Sequence, residues 1–392
     1  MKSIRIKSLI IHPLALGLLL VTLPAAADDR SFNQNERTDL EKLGRKIYFD
    51  ESLSTPPGQS CASCHTPAAG FADPDHSLPV SRGVIKARTG FRSAPTAAYA
   101  KFVPPLYYDA DGGTYVGGLF WDGRVNSLVE QSQFPFLNPV EMHNPDQQSV
   151  VAKIRSGKYS GLFRNVFGNA SLNPYNYQTA YGQITKAIAA FESTPLFSPF
   201  SSKYDLFLKG KANLTPAERR GLALYNDKAN CFACHPSTAA PGQPGPMFTD
   251  FTYDNIGIPK NWSIPFLKLP PNLNPEGTNF IDLGLANTVA KFDPANAADQ
   301  AGRFKVPTLR NLALTAPYGH NGYFKTIKDI VHFYNTRDVP AANWPEGEVP
   351  ETVNHDELGD LKMTNQEEND LVEFLKTLTD GYGQRSDSRG SE

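Results

Sequence analysis

Two stretches of this chain, Leu43 to Asp50 and Arg220 to Asp227, carry the spacing of amphipathic helices, and each runs toward a cluster of cysteines. The second has a defined start: Thr215 and Glu218 stand at capping-box spacing with Pro216 at the first helical position. Thr364 and Glu367 repeat that signal before a last helix whose Leu371, Phe374, Leu375 and Leu378 form an apolar stripe. No series of alternating strands is seen, so the expected class is mainly α with long loops rich in proline and glycine. The plan reads as duplicated, with a boundary near residues 195–213. At the N-terminus, Leu9 to Leu23 is apolar but broken by His12 and Pro13, shorter than the roughly 20 residues of a spanning helix. With Lys2, Arg5 and Lys7 before it and Ala25, Ala26 and Ala27 after it, this reads as a secretory signal cleaved after Ala27; an uncleaved anchor is the alternative.

Composition narrows the class. The 392 residues carry a net charge of −2, 40% hydrophobic residues and four cysteines, which excludes a disordered chain, a collagen-like repeat and a disulfide scaffold. The length suits two domains, and 32 prolines with 30 glycines demand many turns. The near-neutral balance argues against a nucleic-acid surface. Removal of a signal would leave a chain with no membrane span in an oxidising, exported compartment, the periplasm.

All four cysteines fall in two copies of one pattern, Cys61-Ala62-Ser63-Cys64-His65 and Cys231-Phe232-Ala233-Cys234-His235. C-x-x-C-H is the attachment signature of c-type haem. Two thiols add across the vinyl groups of one porphyrin, and the adjacent histidine is held beneath the iron as its proximal ligand. Disulfides, a zinc site and a thioredoxin-like pair compete. Zinc ribbons space their pairs by about 15–20 residues, far less than the interval here, and none of the three explains a histidine after both pairs. Two covalent haems are expected.

The chain resembles the bacterial di-haem cytochrome c peroxidases and, more closely, their MauG-like branch. Besides the haem sites, the resemblance rests on Phe120-Trp121-Asp122-Gly123-Arg124, on Asn138-Pro139-Val140-Glu141-Met142, on Val306-Pro307-Thr308-Leu309-Arg310-Asn311 and on Thr315 through Gly322. It implies two cytochrome c-like domains, 28–205 with the peroxidatic haem and 206–392 with the second, after a signal at 1–27. It implies a catalytic glutamate at Glu141 with Gln131 and Pro135 beside it, and an inter-haem tryptophan at Trp121. Arg124 and Arg310 are candidates for pairing with haem propionates, with ordinary salt bridges as the alternative. The ligand opposite His235 falls on Tyr334 in the MauG-like pattern; Met363, His332 and His355 are the alternatives. A phenolate there would favour ferric and higher iron and a low potential.

Two departures from the family pattern stand out. Activated members carry a blocking histidine before Arg92, but the stretch from Arg82 to Phe91 has none, and His76 lies in a solvated turn. The first haem is therefore expected to be open without activation. The family's inter-haem calcium would use the carbonyls of Thr315 and Pro317 and, in place of an asparagine, Ser93, a poorer ligand.

Three functions remain in play. The first is a periplasmic peroxidase that reduces hydrogen peroxide at the N-terminal haem, with electrons from a small donor, a c-type cytochrome or copper protein, passing through the C-terminal haem. The second is a MauG-like enzyme that uses peroxide-derived high-valent haem to oxidise tryptophan or tyrosine of a partner protein. Tyr334 favours it, while Ala229 and Asn230 stand where MauG has a surface tryptophan. The third, a two-haem electron carrier, fits poorly with an open iron and Glu141.

Overall fold

A computed structural model describes residues 38–382; the signal expected at 1–27 lies outside the described residues. Helix α1 (Asp39–Tyr48) packs on α2 (Tyr177–Glu192). After the short α3 (Lys203–Leu208), α4 (Pro216–Tyr225) packs on the terminal helix, with α5 (Ile327–Thr336) between them in the chain and α6 (Asn365–Lys376) last. The capping boxes Thr215/Glu218 and Thr364/Glu367 form as expected, and Thr38/Glu41 adds a third at the start of α1.

Both helix pairs are built on the same close approach. A Cβ at Gly44 would lie 1.8 Å from the Ala187 carbonyl oxygen, and one at Gly221 would lie 2.0 Å from that of Asp370. Only glycine lets backbone meet backbone there. One turn on, Tyr48 meets Phe191 edge-on at 5.3 Å and Tyr225 meets Phe374 at 5.1 Å. The duplication that looked loose along the sequence is thus repeated residue for residue at the crossings.

Two large apolar cores result, beside two small clusters around Tyr253 and Phe266. One draws its buried residues from Leu43 to Phe197, with Met247 added from the second half; the other runs from Tyr204 to Leu378. Both cores lie within one compact unit. Among the described residues the strands are few: β1 (Tyr107–Asp109) pairs antiparallel with β2 (Thr114–Val116), and β3 (Tyr253–Asp254) with β4 (Phe304–Lys305). Elements of two or three residues are too short to show alternation, so the sequence could not announce them.

Candidate haem sites around one cavity

Helix α1 ends at Tyr48, whose hydroxyl donates to the His65 carbonyl at 2.7 Å; α4 ends at Tyr225, whose hydroxyl donates to the His235 carbonyl at 2.5 Å. Each histidine ring is then oriented by a second backbone carbonyl. His65 Nδ1 meets Phe71 O at 3.1 Å and His235 Nδ1 meets Phe248 O at 2.8 Å. Both phenylalanines adopt positive φ, 62° and 53°, which turns their carbonyls inward. A Pro-Thr pair supports each turn: Thr96 Oγ1 donates to Gly70 O and Thr308 Oγ1 to Met247 O, both at 2.6 Å. The sequence reading used the second pair, Pro307-Thr308, but missed Pro95-Thr96, whose signal was its match to that later motif.

A carbonyl can only accept, so Nδ1 carries the proton and Nε2 is left as the free lone pair. Desolvation lowers the His65 pKa and takes that of His235 down to about 4, so both rings are neutral at physiological pH. This is the state an iron ligand requires. None of the four cysteines is in a disulfide. Desolvation pushes the thiols of Cys64, Cys231 and Cys234 up to about 12 and raises that of Cys61 further, unlike the acidic thiol of a redox pair. Among the described residues no metal-ligating cluster joins the two cysteine pairs; Cys234 groups instead with Asp254 and Glu357. All four cysteines and both histidines border one cavity of about 480 Å³. The donor set fits two thioether-linked haems and does not fit a four-cysteine zinc site.

The other expected residues converge on the same cavity. Glu141, Gln131 and Pro135 line it together. Asn138 orients the carboxylate, donating from Nδ2 to Glu141 Oε1 at 2.7 Å while its Oδ1 accepts from the Val140 amide. Desolvation raises the Glu141 pKa against the opposing pull of Asn138 and Arg124. Trp121 is pinned by both halves of the chain: its Nε1 donates to Ser93 O and its carbonyl accepts from the Lys305 amide, each at 2.9 Å. Arg124 borders the cavity, stacks 3.5 Å above the Phe120 ring and pairs with Asp122.

Two expectations are corrected. The Arg310 side chain is fully enclosed, grips Asp205 at 2.8 and 2.9 Å, and does not border the cavity, so it is no propionate partner. His332 and His355 face away from the cavity toward Glu368 and Asp338, which removes both as ligands opposite His235. Ser93, Thr315 and Pro317 border the cavity, and the Ser93 hydroxyl donates to Gly319 O at 2.8 Å.

Tyr334 and Met363 both reach the cavity, and the repeat ranks them. The bridge between Leu119 and Val125 has its copy between Tyr318 and Phe324, and each is followed by a helix cap, Ser127 and Thr326. Counted from those caps, Pro135 and Tyr334 occupy the same position. Met363 has no such counterpart.

A family model described as di-haem cytochrome c peroxidase matches residues 38–213. The methylamine utilization protein MauG of Paracoccus denitrificans is 37% identical over 380 residues, covering 93% of this chain and 94% of that protein. Cytochrome c551 peroxidase of Nitrosomonas europaea is 30% identical over 347 residues, covering 88% and 81%. The crystal structure of the diheme peroxidase BthA from Burkholderia thailandensis superposes with a TM-score of 0.79 at 34% identity, covering 88% of this chain and 87% of that one. Among the described residues no helix is long and apolar enough to cross a membrane. With relatives of both kinds aligned over most of its length and both haem-binding turns formed, this chain belongs to the di-haem cytochrome c peroxidase and MauG family of oxidoreductases.

Proposed function

We propose that this protein is an exported, periplasmic peroxidase that reduces hydrogen peroxide to water in the chamber of His65, drawing electrons through the chamber of His235 from a small donor, a c-type cytochrome or copper protein. The observation that carries this reading is Glu141, held by Asn138 on the wall of the haem cavity without a cationic side chain bonded to it. When bound, the haem supplies an iron that binds peroxide and passes single electrons. The chain supplies the protons. Glu141, as the carboxylate, would accept a proton from one peroxide oxygen and return it to the other, which would depart as water. Two electrons and two further protons complete the reduction to two waters. Gln131 and Pro135 shape the chamber, and Trp121, fixed at both its indole and its carbonyl, is the relay for electrons between the chambers.

A second reading keeps the same peroxide chemistry but directs the oxidising equivalents to tryptophan or tyrosine of a partner protein. Tyr334 favours it: the phenol lines the same cavity as His235, and a hard donor on that iron would favour its oxidised state. Stopped-flow addition of peroxide, followed by reduced cytochrome or by candidate partner proteins, separates the two. Rapid cytochrome oxidation supports the peroxidase. A long-lived oxidised state that ignores cytochrome and modifies one protein supports the second reading, and failure to react with peroxide removes both.

A further inference from the structure

Three cationic side chains border the cavity: Arg92, Arg124 and Lys305. Two are already neutralised. Arg92 grips Asp282 through Nε and a terminal nitrogen at 2.6 and 2.7 Å and reaches Asp122 at 2.7 Å. Arg124 takes both Asp122 oxygens at 2.9 Å. Lys305 differs: its Nζ donates to the Gly118 carbonyl at 2.7 Å, and among the described residues no carboxylate forms an ion pair with it. The other acids on the cavity wall, Glu141, Glu192, Asp254, Glu348 and Glu357, leave it without one as well.

An ammonium has three N–H donors, and one neutral carbonyl satisfies only one. Enclosing such a charge without an anion is costly, and desolvation accordingly brings Lys305 down to about 7. The residue is nevertheless rigidly placed. Its amide donates to Trp121 O, and its strand β4 pairs with β3, Lys305 opposite Tyr253. The carbonyl it touches belongs to Gly118, at φ 70° in a turn where a Cβ would meet Gly123 at 2.7 Å. A cation fixed in this way at the wall of a haem cavity calls for an anion carried by the occupant.

We infer that Lys305, rather than Arg310, is the cationic partner of a haem propionate, and that it tunes the potential of the haem it meets. The inference rests on the two-haem reading. The propionate would take the Nζ donors that Gly118 leaves free, and the ion pair would sit one peptide hydrogen bond from Trp121.

The test uses the full, haem-loaded chain. Haem content of the wild type, measured by pyridine haemochrome, comes first: fewer than two haems defeats the haem reading rather than the role of Lys305. Spectroelectrochemistry and resonance Raman then compare wild type, Lys305→Met and Lys305→Arg. Removing the positive charge disfavours the reduced, less positive haem. Lys305→Met is therefore expected to lower the potential of one haem, shifting its one-electron equilibrium constant about tenfold, or about 59 mV, with the other haem unchanged. The propionate bending band of the same haem shifts, and Lys305→Arg restores both. Should Lys305→Met fail to load haem, the wild type in heavy water answers instead, since a propionate bonded to an ammonium changes its bending frequency when N–H becomes N–D. Unchanged potentials and propionate bands in loaded Lys305→Met, or an insensitive band in heavy water, overturn the inference.

Discussion

Arg310 and Asp205 form a two-pronged ion pair that ties the loop after β4 to helix α3, where one core gives way to the other. Arg310 also donates to the Pro246 carbonyl and stacks on Tyr99 and Phe200, so its charge is surrounded by partners but cut off from solvent. Removing one member of such a pair strands the other. Asp205→Asn is expected to cost about 3–5 kcal/mol of stability, measured by urea unfolding at neutral pH. Hydrogen bonds from Arg310 and the arginine charge hold the Asp205 carboxyl below its usual pKa. Its contribution is therefore complete above the unfolded value near ~3.9 and is lost as pH falls through the lower folded value. The wild-type advantage over Asp205→Asn should shrink only in that acidic window; a difference that persists at the lowest pH would locate the effect in packing.

Glu141→Gln keeps the shape of the chamber and removes the base. Haem loading should be intact and peroxide turnover should fall by about 10²-fold or more. Because desolvation raises the Glu141 pKa, the acid limb of the wild-type rate profile should lie above the ordinary glutamate value, with activity lost as pH drops and the carboxylate is protonated. That limb should vanish in the glutamine variant. Undiminished turnover would remove Glu141 from the reaction.

Tyr334→Phe tests Tyr334 as the ligand opposite His235, the position expected from the family resemblance. The expected result is a changed spectrum and potential for the C-terminal haem alone, with the N-terminal haem untouched. Desolvation raises the Tyr334 phenol well above its usual pKa, so only a strong positive partner such as ferric iron would hold it as phenolate. An unchanged spectrum would move the assignment to Met363, the remaining candidate on the cavity wall.

The state of the first haem is open to direct observation. Among the described residues, the histidines bordering the cavity are His65, His235 and His320, and His76 is exposed. His320 lies stacked on Phe304 at 3.6 Å. The resting ferric protein is accordingly expected to show one high-spin and one low-spin haem without reductive activation. Electron paramagnetic resonance showing two low-spin haems would refute this.

Gly44→Ala and Gly221→Ala place a methyl group against backbone carbonyls at 1.8 and 2.0 Å. Neither contact is with a flexible side-chain end, so the helices must separate. A loss of about 1–3 kcal/mol is expected for each by thermal or urea unfolding. Since α1 and α4 also carry the tyrosines that hold the His65 and His235 carbonyls, Gly44→Ala should perturb the first haem's spectrum and Gly221→Ala the second's.

Much of the site was legible in the chain itself, because haem attachment is written in five consecutive residues and helix caps in four. Those signals are local, and Cys61 to His65, Cys231 to His235, α4 and α6 followed from them. The expected convergence of Glu141, Gln131, Pro135 and Trp121 came from resemblance, and the structure gathers them on one cavity. Partner choice was not legible. Arg310 looked like a propionate ligand from its motif, but Asp205, 105 residues earlier, occupies it. Lys305 drew no notice in the sequence, yet it borders the cavity without a paired carboxylate, because Asp122 near it is held by Arg92 and Arg124. His332 and His355 were removed as ligands by acids that folding brings from elsewhere in the chain, Glu368 and Asp338. The C-x-x-C-H motifs and the helix starts depend on neighbours along the chain, so the sequence by itself determined them. Which charge meets which counter-charge depends on distances between segments far apart in that order, and only the tertiary structure decided it.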